Sequence, residues 1–205
     1  MSAHNLLYQL EQAGVTATKD ELNILDGVTA SAAELNQLDG SVLADMTPGT
    51  GISTGTNTVC KHSVVKVGGL YHTVILVDLT GLNSGDADGD IIGKADAANC
   101  HIGRVLAAVN GTIFAGKVTC LETPAGGEPD IDLYSAVEAT GTEEAAASGM
   151  TETALLAVAA DWTAGTTKGL TAFPAADEYL YLVASGGATN ATYTAGIFEI
   201  ELWGK

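Results

Sequence analysis

Residues 59–79 read VCKHSVVKVGGLYHTVILVDL. Two runs rich in β-branched residues, 59–67 and 71–79, flank Gly68-Gly69. Such runs bounded by glycine read as strands. Two intervening residues of this type read as the tight turn of a β-hairpin, because both central positions of that turn need a positive φ. The hairpin sets the fold class for the rest of the chain beyond it. The chain has 25 glycines and 4 prolines, with few long helical periodicities. That composition belongs to an all-β body with many turns.

Strand signals continue to the end of the chain. Residues 80–99 are polar and rich in Gly, Asp and Asn, and read as a long loop. Residues 100–109 and 112–121 flank Asn110-Gly111, the strongest short-range hairpin signal, so a second hairpin is expected there. Residues 131–138 (IDLYSAVE) read as a strand, and 139–150 as a small-residue loop with one helical turn around Glu143–Ala147. Residues 152–162 (ETALLAVAADW) have helical propensity in an all-β context and are read as a strand. Residues 178–184 (EYLYLVA) form another. In 197–203 (IFEIELW), Phe198, Ile200 and Leu202 alternate with Glu199 and Glu201, the pattern of a half-exposed antiparallel strand. About eight strands suit a two-sheet sandwich of jelly-roll type.

The front of the chain is of another kind. Residues 15–27 (VTATKDELNILDG) and 28–40 (VTASAAELNQLDG) are near-identical consecutive blocks. Thr18 with Glu21, and Ser31 with Glu34, have the S/T-x-x-E spacing of a capping box. Gly27 and Gly40 stand where a left-handed C-terminal cap needs a residue without Cβ. Each block therefore reads as a short capped helix, too short to be stable alone in water. Its apolar stripe is Leu22 and Leu25 in the first block, Leu35 and Leu38 in the second. These leucines are expected to be the interface with other copies or with a shell; the alternative is two surface helices lying on the body. Residues 1–14, with Leu6, Leu7 and Leu10, read as a degenerate third block. Residues 41–58 are rich in Gly, Thr and Ser and read as a linker. The expected organisation is thus an N-terminal arm and linker over 1–58 and a β-sandwich body over 59–205.

The 205 residues carry 8 Lys and Arg against 25 Asp and Glu, a net charge of −17. Such a chain repels phosphate backbones, so a nucleic-acid partner is not expected. No apolar run reaches the ~18 residues of a membrane span, and no membrane partner is expected. The start MSAHNLLYQL lacks a basic n-region and a long apolar h-region, so synthesis in a reducing cytosol is expected. Cys60, Cys100 and Cys120 then read as buried small hydrophobes rather than bridges.

Few patterns carry chemistry. Gly51-Ile52-Ser53-Thr54-Gly55 matches G-x-S-x-G, but no strand precedes it and no helix pattern follows, so it reads as linker. Asp86, Asp88 and Asp90 have the spacing that opens a calcium loop. Ile91 and Ala97 stand where an EF-hand needs Gly and Glu. A looser surface calcium site at Asp86, Asp88 and Asp90 stands beside the plainer reading, a solvated acidic turn. Cys60, His62, His72, Cys100, His101 and Cys120 lack a C-x-x-C knuckle, and zinc is not expected. Asn110-Gly-Thr112 and Asn190-Ala-Thr192 match the glycosylation sequon and read as turn chemistry. No catalytic set is found; the chain is read as a non-enzyme, without a cofactor beyond that calcium.

The ELN-x-LDG blocks at Glu21–Gly27 and Glu34–Gly40 resemble repeats of tailed-bacteriophage fibre and virion structural proteins. GDADGDIIG (85–93), CLETPAGGEPDIDLYSA (120–136), TAFPAADEYLYLV (171–183) and YTAGIFEIELWG (193–204) resemble structural proteins of aquatic and marine tailed phages. The resemblance implies a β-sandwich body, trimeric or otherwise symmetric assembly, attachment to a capsid or tail, and no catalytic residues. The expected role is capsid decoration (cement) or head fibre at the virion's capsid surface, with the major capsid protein and further copies of the chain, as a homotrimer, for partners. A tail-fibre or tail-tip protein binding host glycan is the alternative; a depolymerase is a third, without catalytic residues to support it.

Overall fold

The computed structural model describes residues 46–53, 58–158, 160–186 and 190–205. The repeat blocks, with Leu22, Leu25, Leu35 and Leu38, lie outside the described residues. The elements are α1 (Thr50–Ser53), β1 (Val59–Val67), β2 (Leu70–Asp78), β3 (Gly103–Arg104), α2 (Ala107–Asn110), β4 (Ile113–Ala125), β5 (Ile131–Ala136), a 3₁₀ turn (Ala147–Gly149), β6 (Glu152–Leu156), β7 (Thr167–Gly169), β8 (Tyr179–Ala184) and β9 (Ala195–Gly204). The described residues are mainly β, in two antiparallel sheets. The first has five strands in the order β1-β2-β9-β4-β7, the second four in the order β3-β8-β5-β6. Among the described residues no helix is long and apolar enough to cross a membrane.

The opening hairpin forms as its sequence dictates. Val67 pairs with Leu70 across the turn, and the register runs unbroken to Val59 opposite Asp78. Gly68 and Gly69 have φ of 57° and 89°, with nothing near the Cβ that either lacks. They are needed for backbone conformation, not for space. β9 lies between β2 and β4. It buries Phe198, Ile200 and Leu202, as their alternation predicts.

The inward faces of both sheets feed one apolar cluster, which makes the body sandwich-like. Val118, Phe198 and Ile200 come from the first sheet, and Leu133, Leu156 and Leu182 from the second. Trp162 is 1 % exposed among them. Its ring meets Phe198 edge-on at 5.4 Å, and its indole N–H donates to the Ile131 carbonyl at 2.8 Å.

Two expectations need correction. The Asn110-Gly111 pair does not close a hairpin: β3 belongs to the second sheet, β4 to the first, and α2 ends at the pair. Asn110 is fully buried, its Oδ1 accepting from Leu106 N–H at 2.8 Å and its Nδ2 donating to Thr73 Oγ1 at 2.9 Å. Gly111 has φ 69°, and a Cβ there would stand 2.8 Å from Lys205 N. The pair is a crossover between sheets, held by side-chain bonds that spacing does not reveal.

Residues 80–99 form the expected long loop, without a strand or helix of their own, but the loop is packed rather than exposed. Leu82, Ile91 and Ile92 are fully buried, and bridges join Asn83 to Gly93 and Ile91 to Val183. Along β8, Tyr181 and Val183 turn away from the first sheet. The segment covers this second face, so its backbone needs protein partners.

The body also begins before residue 59, so a division into 1–58 and 59–205 cuts through it. Met46 is 4 % exposed and Ile52 fully buried in the common core. Gly49 N–H donates to the His101 carbonyl at 2.8 Å, Gly51 N–H to Asn99 at 3.1 Å, and Lys94 N–H to Gly51 at 2.7 Å. A stretch composed like a linker is bound because its one isoleucine and its glycines fit against 93–103.

Candidate functional site

Where β2 leaves the first sheet, Asp78 Oδ1 accepts from Thr80 N–H at 2.9 Å and turns the chain. Asn83 bridges to Thr192, whose hydroxyl donates to Asn83 Oδ1 at 2.8 Å. Between these segments lies an open cleft of about 570 Å³, lined by Thr80, Gly81, Asn83, Lys94, Ala95, Thr192, Tyr193 and Thr194. Its described walls carry hydroxyls, an amide and one ammonium, and no carboxylate, imidazole or thiol. Tyr193 is held in place, its hydroxyl donating to the Glu128 carbonyl at 2.7 Å. The chemistry on offer at these walls is hydrogen bonding to a polar ligand.

A smaller pocket of about 250 Å³ lies between Met46, Thr47, His101, Arg104, Leu106, Val109 and Tyr179. The His101 ring lies 4.7 Å from that of Tyr179, over which Arg104 also sits, itself paired with Asp177 at 2.9 Å. Burial, then the nearby His62, lowers the His101 pKa to about 4, so the ring is neutral at physiological pH.

The candidates from the sequence are placed apart. Asp90 is 4 % exposed, and its Oδ2 accepts from Asp86 N–H at 3.1 Å and Ala87 N–H at 2.8 Å. Asp88 Oδ1 accepts from Gly186 N–H at 3.1 Å, and Asp86 is exposed. Asp90 thus caps its own turn rather than facing outward with Asp86. Among the described residues no group of three or more His, Cys, Asp or Glu side chains is placed to hold a metal ion.

Cys60 and His62 share the inner face of β1 and both approach the Ile102 carbonyl. His72 is elsewhere, paired with Glu201 at 3.1 Å and stacked on Trp203. All three cysteines are free thiols. Burial pushes Cys60 up to about 12 and Cys100 up to about 11, which makes both poor nucleophiles. Ser53 ends α1 and is exposed; Thr54 and Gly55 of the G-x-S-x-G match lie outside the described residues. Asn110 of the first sequon is buried, whereas Asn190 is exposed and its amide donates to Glu144.

Sequence reading missed a set of buried carboxylates. Asp130 and Asp132 are 8 % and 5 % exposed, although alternation with Ile131 and Leu133 marks them as outward-facing. Outward here means toward the covering segments. Asp132 Oδ1 accepts from Val158 N–H at 2.5 Å, while Asp130 Oδ1 has no partner. Burial, then Asp132, raises Asp130 to about 6. A carboxyl whose folded pKa exceeds its unfolded one costs nothing below the unfolded value, and destabilises as pH rises through the folded one. Asp130→Asn is therefore expected to stabilise the protein by about 1–2 kcal/mol at pH 7.5 and to make almost no difference near pH 3. Urea unfolding at both pH values checks this; a variant no more stable than the parent at pH 7.5 contradicts it.

No protein-family model, curated protein or solved structure matches this chain.

Proposed function

We propose that this chain is a virion structural protein of a tailed bacteriophage, a capsid decoration or head-fibre protein. It binds the major capsid protein through its N-terminal arm, self-associates as a trimer, displays its body outward and has no catalytic role. The observation that carries this is the pair of ELN-x-LDG blocks, each with its own cap and stop and its own leucine pair. Helices that short need a partner surface. Attachment at several points on a symmetric shell gains avidity with each added copy.

The strand order supports a jelly-roll body of the kind used in viral shells and lectins. β2 pairs with β9, β3 with β8, β4 with β7 and β5 with β6. That nesting is one long antiparallel ribbon, β2 to β5 against β6 to β9, wrapped into two sheets. β1 is an extra strand on its edge.

Deleting residues 1–45 is expected to leave a folded body that no longer binds capsids or forms the parent oligomer. Changing Leu22, Leu25, Leu35 and Leu38 to Ser should do the same, at roughly 1.5–3 kcal/mol per side chain buried in the assembly. Light scattering and capsid co-sedimentation test both; a shortened chain with the parent oligomer removes the arm from the reading.

The polar cleft beside Thr192 favours the second reading, a tail-fibre or tail-tip protein that recognises host glycan, since hydroxyl and amide walls suit a saccharide. Copy number separates the two: hundreds per virion for decoration, a few to a few tens for a tail.

A further inference from the structure

We propose that the cleft between residues 80–83, 94–95 and 192–194 binds an acidic saccharide, its carboxylate held by the Lys94 ammonium and the Asn83 amide. The inference rests on the reading of this cleft as a saccharide site and commits it to one class. At about 570 Å³ the cleft has the size of a small-molecule site.

Its walls are fixed in advance. Asn83 N–H donates to the Gly93 carbonyl at 2.7 Å and Gly93 N–H to the Asn83 carbonyl at 3.2 Å, which holds the chain at Lys94 beside Asn83. Gly81 N–H donates to the Tyr193 carbonyl at 2.9 Å, and Tyr193 N–H to the Leu82 carbonyl at 2.8 Å. Leu82 and Tyr193 are both buried, so the two segments are anchored from below. Walls held in this way lose little freedom when a ligand enters, which favours binding.

The bonds within the walls decide what is left for a ligand. The Thr192 hydroxyl donates to Asn83 Oδ1 at 2.8 Å, and the Thr194 hydroxyl to the Ala125 carbonyl at 3.2 Å. Each hydroxyl oxygen keeps its lone pairs and becomes an acceptor. Asn83, with its oxygen engaged, presents its N–H₂ as a donor. Lys94 is exposed, and its ammonium carries three donors and the one charge among the residues that line the cleft. The cleft thus offers donors at Lys94 and Asn83 and acceptors at Thr192 and Thr194. A carboxylate fits the donors, and the hydroxyls of a sugar ring fit the acceptors.

The charge of the ligand follows from what the walls lack. The Tyr193 ring is buried and gives a sugar no face to stack on. A neutral sugar would exchange bonds to water for bonds to these walls, with little net gain. A carboxylate on Lys94 adds a charge-assisted bond, roughly twice as strong as a neutral one. No Asp or Glu lines the cleft, although such residues outnumber Lys and Arg in the chain by 25 to 8. The net charge of −17 opposes an anion from a distance, but at physiological salt that repulsion is screened beyond ~8 Å. Contact with Lys94 acts inside that distance.

The test is ligand titration of the full chain followed by NMR. The probes are sialate- and uronate-ended di- and trisaccharides, each beside its own methyl ester, together with neutral hexose disaccharides. The ester keeps the ring and removes the charge. At least one acid is expected to bind about tenfold more tightly than its ester, the effect of one charge-assisted hydrogen bond. Lys94→Ala is expected to erase that preference while the melting temperature stays within a few degrees. The backbone bonds of residue 94, to the Gly51 carbonyl and from Ala97 N–H, do not involve the side chain. Lys61→Ala, on β1 and outside the cleft, removes the same charge and is expected to leave the preference intact. Esters that bind as tightly as their acids, or a preference that survives Lys94→Ala, would overturn the assignment and leave a saccharide site of another class. A preference lost equally in Lys61→Ala would trace it to overall charge and overturn the assignment too. If no acid, ester or neutral sugar binds, the saccharide reading of the cleft falls with it.

Discussion

A chain shortened to residues 59–205 is expected to be less stable than one beginning at residue 46 by about 3–6 kcal/mol, from the loss of two buried side chains. Met46 and Ile52 are those side chains, at 4 % and 0 % exposure. Their removal opens a cavity in the apolar cluster that they share with both sheets. The backbone loses as well. Asn99 and His101 carbonyls and the Lys94 N–H all give up partners in 46–53. The fit is close: a Cβ on Gly49 would stand 1.9 Å from the Asn99 carbonyl oxygen. Domains of this size have only about 5–15 kcal/mol in all, so the shorter chain should be partly unfolded near physiological temperature. Urea titration followed by the fluorescence of Trp162 and Trp203 measures the difference. Equal midpoints for the two chains would mean that 46–53 rests on the body without supporting it.

That error of boundary shows where sequence reading stops. The hairpin at Gly68-Gly69 and the alternation of β9 are legible because both are local: a turn type fixed by two glycines, and a period of two. The Thr-Pro-Gly-Thr stretch at 47–50 is also local, and its composition is that of a linker. What binds it is a surface over 93–103, distant in sequence and without a mark on 46–53. The same holds for Asn110-Gly111. Its turn chemistry marks a reversal, but the partners of the Asn110 amide, Thr73 and Leu106, decide that the chain changes sheets there. The polar cleft is not legible at all. Thr80, Lys94 and Thr192 meet only because β2 and β9 are neighbours. Asp86, Asp88 and Asp90 are legible as a turn; that Asp90 is the one to face inward depends on the bonds it accepts from residues 86 and 87.

Trp162→Ala is expected to cost about 3–5 kcal/mol, the usual range for emptying a buried aromatic site. The ring contributes to both sheets at once. Phe198 of β9 meets its edge, Lys168 of β7 lies 4.8 Å from its centroid, and its N–H bonds to Ile131 at the start of β5. Trp162→Phe separates packing from hydrogen bonding. It keeps most of the apolar contact but leaves the Ile131 carbonyl without its donor, and should cost about 1–3 kcal/mol. The denaturant slope carries further information, because it scales with the surface exposed on unfolding. If the two sheets unfold together, Trp162→Ala shifts the midpoint and leaves the slope alone. A lower slope would mean that, without this residue, one sheet opens before the other.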